Sequence, residues 1–287
     1  MPNLQAIRRR IVSVKSTQKI TRAMKMVAAA KLRRAQETLL NARPYAYHLR
    51  DIANSLITHA TAVEHPMLRN APGGRVGLLV VTSDRGLCGG YNSSLVLETM
   101  RLLHQDFADR DVEITVVGRK GTEALRRRCS KQVKTAHVGL LERYTVNSDT
   151  AVIDPLADQF LTGHLNEVYC LYNEFKSAIT QRITLERLLP YEPEPQVKTM
   201  FDNAFFTFEP GEEALITALL RDNLRAQLHR IFHEAMASEH GARMAAMDSA
   251  TTNAGDVIAR LTLNYNRVRQ GAITKEVVEI VSGAEAL

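Results

Sequence analysis

The first 72 residues contain no glycine, and this is the feature that most restricts how the chain can fold. The segment is predicted to be one long helix with a stripe of apolar side chains, and Gln18 and Thr21 leave a polar gap in that stripe. Pro44 should kink this helix or make it restart. About 55 helical residues would extend roughly 80 Å, which is more than a globular domain needs. The apolar side chains recur at the three- and four-residue intervals of a coiled coil: Leu4, Ile7, Ile11, Val14, Met24, Val27, Leu32 and Leu39.

A second helical segment occupies the end of the chain, where no proline follows Pro210. We expect this helix to bend at Gly241, Gly255 and Gly271. Helices at both ends of a chain can pair as an antiparallel coiled coil beside a domain inserted between them. The C-terminal segment carries two apolar stripes at helical spacing: Ile216, Leu219, Leu220, Leu224, Leu228 and Ile231, then Ile258, Leu261, Tyr265, Val268 and Ala272.

The middle of the chain alternates short apolar runs with helical stretches, between a turn-rich linker (65–74) and the proline-rich PYEPEP (190–195). Strands are predicted at 76–81, 112–117, 167–172 and 183–189, and helices near 92–107, 119–128 and 150–162. This alternation implies a mainly parallel, Rossmann-like sheet. The predicted fold class is therefore α/β: a long antiparallel coiled coil of N- and C-terminal helices (1–60 and 211–287) plus a central Rossmann-like α/β domain (75–195).

Positive charge is concentrated at the start of the chain. Residues 1–60 contain twelve Lys and Arg against two acidic residues, whereas the remainder has 25 basic and 29 acidic residues. A helix this basic needs an acidic partner, which can be nucleic acid, anionic lipid or an acidic protein surface. Tryptophan is absent and aromatic residues make up 6% of the chain, so a deep aromatic-lined ligand pocket is not expected.

The cysteines and the apolar runs indicate the kind of cellular compartment in which the protein resides. Cys88, Cys129 and Cys170 are odd in number and far apart, which favours reduced thiols in a cytosol-like compartment over disulfides or a zinc site. No apolar run approaches the length of about 18 residues that spans a bilayer. The first residues, MPNLQAIRRR, lack the apolar core of a signal peptide.

Two glycine-rich loops follow predicted strands. SDRGLCGGYNSS (83–94) has the context of a phosphate-cradling turn, but it lacks the Lys-Ser/Thr of a P-loop and the spacing of a dinucleotide fingerprint. Gly118-Arg119-Lys120-Gly121 resembles the GXXG loop of KH modules, which clamps single-stranded RNA. That four-letter pattern has no matching second module here, so a structural turn is favoured in both places.

A histidine pair is the third candidate site. His229 and His233 are four residues apart on a predicted helix and could share a metal ion. HRIFH lacks the general-base glutamate of HExxH, so a solvated helix face is favoured. No Ser-His-Asp or Cys-His set is suggested either. We therefore predict no catalytic residue, no cofactor and no metal.

Four sequence blocks resemble the gamma subunit of F-type ATP synthases. They are STQKITRAMKMVAAAK (16–31), SDRGLCGG (83–90), ARMAAMDSAT (242–251) and YNRVRQGAITKE (265–276). Their order and spacing match from end to end, and a run as long as the first is highly specific. The resemblance implies a non-catalytic rotor: the terminal helices stand as a coiled coil inside a ring of alpha and beta subunits, and the α/β domain binds the epsilon subunit and the c-ring.

The resemblance also implies roles for particular residues. Met24 and Arg243 are expected to face the beta subunits low on the shaft, and Phe208 with Glu209 to lie at the foot near the c-ring. The terminal cluster of Val277, Val278, Ile280 and Val281 suits a low-friction bearing, because apolar contacts lack directional hydrogen bonds. The upper contact set is expected at Arg269, Gln270, Thr274 and Glu276.

Partners and location follow from the same resemblance. The expected partners are the alpha and beta subunits, the epsilon subunit and the c-ring, with no nucleic acid and only indirect membrane contact. Since the helix starts at the first residues, a peripheral protein on the cytoplasmic face of a bacterial cell membrane is favoured. Coupling would run from transmembrane ion flow through the c-ring to ATP synthesis or hydrolysis at the beta subunits.

Overall fold

The computed structural model describes residues 4–59, 65–69, 73–145, 147–193 and 211–285. These divide into two compact units: unit 1 comprises Met1–Ala28 with Arg243–Leu287, and unit 2 comprises Ala29–Ala242. Two long helices supply residues to both units. They are α1 (Leu4–His59) and α5 (Glu212–Glu285).

Helix α1 does not restart at Pro44, which lies inside it. The predicted restart is wrong, since the inward positions keep their coiled-coil spacing on both sides of the proline, whereas the alternative of a kink stays a prediction. Val27 was also assigned to the inward stripe wrongly, because its side chain is exposed and the neighbouring Ala28 is buried instead. The buried apolar residues of the helix are Ile7, Ala28, Leu32, Leu39, Ala46, Ala53 and Leu56.

Helix α5 runs without a break through all three glycines that were expected to bend it. Gly241 has a different role in unit 2. A Cβ at this position would lie 2.9 Å from the backbone oxygen of Ala178, which is closer than a side chain tolerates. Glycine at 241 therefore lets the helix approach the turn between the last two strands of the sheet.

Unit 2 contains a five-stranded sheet in the order β3-β2-β1-β4-β5. Strands β1 to β4 are parallel, and β5 pairs antiparallel with β4 at one edge. The mainly parallel α/β domain is confirmed. Its elements are β1 (Val76–Val81), α2 (Tyr91–His104), β2 (Val112–Val117), α3 (Arg119–Arg128), β3 (Val133–His137), α4 (Thr150–Leu161), β4 (Glu167–Phe175) and β5 (Gln181–Leu189).

Helices cover both faces of this sheet. Every residue of β1 is buried, and the alternation of a strand sends Leu79 and Val81 into one core and Leu78 and Val80 into the other. The first core is closed by α4 and by α5, whose predicted apolar stripe from Ile216 to Ile231 packs on the sheet here instead of forming part of the coiled coil. The second is closed by α2 and α3. A strand buried on both faces reads as a continuous apolar run, which is why β1 was found at its exact bounds.

A buried polar cluster joins α1, the sheet and α5 within unit 2. The carboxylate of Glu234 lies 3.3 Å from Arg43 and 3.3 Å from Arg230, and it accepts the backbone N–H of Phe175 at 3.2 Å. Arg230 also lies 2.6 Å from Glu186, which accepts the Tyr172 hydroxyl at 2.8 Å. Paired charges of this kind hold these elements in one relative position, because removing one partner leaves a buried charge uncompensated.

Candidate functional site

In unit 1, α1 and α5 run antiparallel, and three contacts define their register. The Gln18 side-chain amide donates to the backbone oxygen of Thr251 at 3.3 Å, and the hydroxyls of Thr21 and Thr251 lie 2.8 Å apart. Lys25 forms a 2.6 Å ion pair with Asp248. Residue numbers rise on one helix as they fall on the other, so the predicted antiparallel pairing is confirmed.

The polar gap in the α1 stripe is part of this contact. Thr21 is buried although it is polar, and Gln18 is half-buried. Both side chains face α5, where Gly255 leaves room: a Cβ there would lie 3.2 Å from the Gln18 amide nitrogen. Gln18 and Thr21 therefore form a polar layer between the helices, and the helices stay in contact at the gap.

The C-terminal end of α5 is apolar and exposed. In the register of Thr21 with Thr251, Leu4 lies opposite Val268, and α5 continues to Glu285. Every residue from Ile273 to Ser282 is exposed. We call its large apolar members the apolar end of α5: Ile273, Val277, Val278, Ile280 and Val281, each more than half exposed. An exposed apolar cluster of this size is typical of a protein interaction site.

The predicted upper contact residues lie at the same end of α5. Arg269, Gln270, Thr274 and Glu276 are all exposed, and they span two helical turns, about 10 Å along the axis. The Thr274 hydroxyl donates to the backbone oxygen of Gln270 at 3.0 Å, which is a local bond and leaves the outward side chains available. The structure thus brings these four residues together beside the apolar end.

The other predicted contacts are placed differently. Met24 and Arg243 are half-buried in unit 1. Met24 neighbours Lys25, the partner of Asp248, and Arg243 lies five residues before Asp248, about 7.5 Å along α5. Phe208 and Glu209 lie outside the described residues, so the predicted foot has no structural account.

A second apolar surface on α1 was missed in the sequence. Val12, Ile20 and Val27 are each more than half exposed. Since each residue turns a helix by about 100°, Val12 lies on the side of α1 opposite to Thr21 and Ala28, and Ile20 and Val27 lie about 100° around the helix from them. Val12 and Ile20 stand outside the predicted coiled-coil stripe, so their signal was present, whereas Val27 was assigned to that stripe. Unit 1 therefore presents apolar side chains away from its own helix–helix contact.

The glycine-rich loops hold the sheet domain together. A Cβ at Gly118 would lie 2.3 Å from the backbone oxygen of Thr82, and one at Gly121 would lie 2.4 Å from its hydroxyl. Asp84 is buried and accepts the backbone N–H of Arg119 at 3.0 Å and of Gly139 at 2.8 Å. Both glycines of the GXXG pattern face the protein interior, which favours the structural turn over RNA binding for that loop.

His233 is buried and His229 is half-buried, so the solvated helix face expected for this pair is wrong for His233. His229 lies 2.6 Å from the Tyr144 hydroxyl and 3.0 Å from the Asp149 carboxylate. His233 packs against it with 4.4 Å between ring centroids, and burial lowers the pKa of His233 to about 4. The sequence missed this because Tyr144 and Asp149 come from a distant loop. Within the described ranges, no group of three or more His, Cys, Asp or Glu side chains is arranged to hold a metal ion.

None of the helices in the described part of the chain combines the length and apolar character needed to cross a bilayer.

Comparison with known proteins agrees with this architecture. The family model described as ATP synthase matches residues 3–287. The ATP synthase gamma chain of Anaeromyxobacter sp. (strain Fw109-5) is 45% identical over 294 residues, covering 100% of both chains. Among solved structures, a chain of the central stalk and c-ring of Tetrahymena thermophila mitochondrial ATP synthase is 27% identical with a TM-score of 0.62, covering 80% of this chain and 99% of its own.

A chain of Euglena gracilis mitochondrial ATP synthase shares the fold, with a TM-score of 0.70 at 17% identity, covering 99% of this chain and 94% of its own. The family match and the full-length relative both extend over the terminal helices and the sheet domain together. The chain therefore belongs to the ATP synthase family, as one of the gamma chains of its central stalk.

Proposed function

We propose that this chain is the rotating shaft that couples transmembrane ion flow through the c-ring to ATP synthesis or hydrolysis at the beta subunits. The observation that carries the proposal is the apolar end of α5, which is exposed beyond the described start of α1. Its side chains have no charge to pair and no hydrogen bonds to break as they move past a partner. Such a surface suits a bearing in which contacts must exchange at low cost.

The alpha and beta subunits are the partners proposed for unit 1. The exposed apolar side of α1 and the apolar end of α5 would be covered by the ring that they form. Met24 and Arg243 would contact the beta subunits lower on the shaft. Arg269, Gln270, Thr274 and Glu276 would form the upper contacts, where hydrogen-bonding groups can hold one rotary position briefly.

The sheet domain is proposed to bind the epsilon subunit and the c-ring, with Phe208 and Glu209 at the foot. Contact with the membrane would then be mainly through the c-ring, at the cytoplasmic face of a bacterial cell membrane. The chain itself would be non-catalytic, a proposal supported by the inward-facing glycines of the GXXG loop, Gly118 and Gly121. ATP chemistry would take place on the beta subunits.

The test is to replace the apolar end of α5 by serine at all five positions in the assembled complex. We expect the complex to assemble, with ATP-driven ion pumping in membrane vesicles falling relative to ATP hydrolysis. A matched control is Lys275→Gln with Glu279→Gln, which removes an exposed ion pair of 3.4 Å from the same segment and should leave the ratio unchanged. An unaltered pumping-to-hydrolysis ratio in the serine variant would refute the bearing. Failure of the unsubstituted chain to co-purify with alpha and beta subunits would refute the proposed role.

A further inference from the structure

The end of α3 and the strand that follows it carry concentrated positive charge. Five cations occur within the nine residues 126–134, and no acidic residue lies among them. All five side chains are exposed. We call this set the α3–β3 patch: Arg126, Arg127, Arg128, Lys131 and Lys134.

The patch differs from other arginines on the surface of unit 2. Arg101 lies 2.7 Å from Glu98, Arg182 lies 2.9 Å from Glu174, and Arg225 lies 2.9 Å from Asp154. In the part of the chain that the structure describes, no member of the α3–β3 patch has an ion pair or a hydrogen bond through its side chain. Five neighbouring cations repel one another, so the patch costs stability unless something anionic covers it.

Local structure accounts for only part of this charge. Cations in the last turn of a helix interact favourably with its dipole, and a lysine on an edge strand discourages pairing with another sheet. Three consecutive arginines, however, spread over about 200° of the α3 surface. They cannot all reach the last carbonyl groups, one of which already accepts the backbone N–H of Cys129 at 2.8 Å.

We propose that the α3–β3 patch binds anionic phospholipid headgroups at the membrane surface. Arginine suits this ligand, because its planar guanidinium can hold a phosphate through two hydrogen bonds. Ser130, the exposed residue between Arg128 and Lys131, is polar. The contact is therefore electrostatic and involves no insertion into the acyl region.

The inference rests on the proposed function, which brings the chain close to a membrane. The proposed function also explains why lipid fits better than a stationary acidic protein. A rotating subunit can keep a contact only with parts that turn with it or with a fluid surface. Headgroups exchange freely as a cation passes, whereas a stationary acidic protein would have to release the patch at every step.

The experiment uses the full chain with Ser130→Cys, labelled with an environment-sensitive fluorophore. The native cysteines are buried, so the label goes to position 130. Vesicles contain one-third phosphatidylglycerol in phosphatidylcholine, with a headgroup quencher. We expect quenching at low salt that is lost at high salt and absent with pure phosphatidylcholine.

The decisive comparison is between loss of charge in the patch and an equal loss of charge elsewhere on the chain. Since each cation contributes about fivefold to binding at an anionic surface, Arg126→Gln, Arg127→Gln and Arg128→Gln together should weaken the quenching titration about a hundredfold. The three corresponding lysine substitutions should retain most of it. Arg8→Gln, Arg9→Gln and Arg10→Gln, an equal charge loss in another exposed arginine triplet, should change it little. Unchanged circular dichroism shows that the variants are folded.

Three outcomes would overturn the proposal. Equal weakening of the quenching titration in the Arg126–Arg128 and the Arg8–Arg10 glutamine variants would mean that only net charge matters. Absence of quenching at position 130 would exclude lipid contact, and loss of a protein subunit from the complex in the Arg126–Arg128 variant would then assign the patch to an acidic protein. Vesicle binding by the free chain does not depend on rotor assembly, so failure of the proposed function would be seen separately, by co-purification.

Discussion

The two units bury very different kinds of surface. Unit 2 encloses a sheet with apolar cores on both faces and a buried charge cluster around Glu234 and Arg230. Unit 1 is a pair of helices, and among its described side chains only Ile7, Thr21, Ala28, Met247 and Ala254 are buried. Several of its large apolar residues, such as Val12 and Ile280, are exposed.

This difference shows which unit depends on partners. Unit 2 covers much of its apolar surface itself, in the two cores on either side of the sheet. Unit 1 leaves apolar surface uncovered on the outer side of α1 and at the apolar end of α5, and two helices alone cannot cover it. Substitutions should therefore change the folding of unit 2, whereas in unit 1 they should change contacts with other subunits.

The largest expected effect is on the charge cluster of unit 2. Glu234→Ala removes the acceptor that lies 3.3 Å from both Arg43 and Arg230, and the loss of one partner from a buried pair costs about 3–5 kcal/mol. Chemical denaturation of the purified chain should show this decrease in the free energy of unfolding. The control is Arg33→Ala, which breaks an exposed 3.2 Å pair with Glu37 and should cost under about 0.5 kcal/mol. Similar losses in both variants would contradict the contrast between buried and exposed pairs.

Acid should destabilise unit 2 through His233. Burial, followed by the neighbouring His229, lowers the pKa of His233 to about 4, whereas an unfolded chain has a histidine pKa of about 6.5. Below that pH the unfolded state binds a proton that the folded state does not. Stability is therefore full above about pH 6.5 and falls by about 2–3 kcal/mol toward pH 4.

Denaturation curves across this range should show the loss, and His233→Phe should flatten it. A pH dependence that is the same with and without this imidazole would mean that other groups cause the acid effect.

A smaller effect is expected at the upper contacts in unit 1. Arg269→Ala with Gln270→Ala should leave the complex assembled but lower steady-state ATP turnover and synthesis together. Hydrogen bonds to charged groups contribute about 1–3 kcal/mol, so the decrease should be about fivefold to a hundredfold. Arg267→Ala, another exposed arginine on the same helix, is the control. Turnover equal to that of the unaltered complex would move the torque-bearing contact down to Met24 and Arg243.

The smallest effect is expected in the polar layer of unit 1. The hydroxyls of Thr21 and Thr251 lie 2.8 Å apart, and replacing both by valine removes donor and acceptor together. Such paired replacement is nearly neutral, within about 1 kcal/mol. A single change removes the bond between the helices and leaves the remaining hydroxyl bonded only to its own helix, Thr21 to the backbone oxygen of Gln18 or Thr251 to that of Met247. Hydrogen exchange of the α1 amides near Thr21 should be unchanged in the double variant and faster in each single one. Additive losses would show that the layer stabilises the pair.

Patterns of repeated spacing made much of this fold predictable from the sequence. The glycine-free coiled-coil spacing predicted α1, and the continuous apolar run predicted β1 at its exact bounds. β3 was missed, because an edge strand that is half exposed carries polar residues such as Lys134 and Thr135 and has no apolar run. The family blocks identified the gamma chain, because a long specific run leaves few alternatives.

Tertiary structure decided what local pattern could not. Gly118 and Gly121 formed a loop motif in the sequence, and only the approach of Thr82 shows that both face inward. In the sequence His229 and His233 resembled a solvated pair. The structure shows that Tyr144 and Asp149, some 80 residues away, contact His229. Pro44 was expected to interrupt α1, yet the helix continues. Sequence spacing determines which faces of an element are apolar, but what covers a face depends on residues far along the chain, and that information is present only in the folded structure.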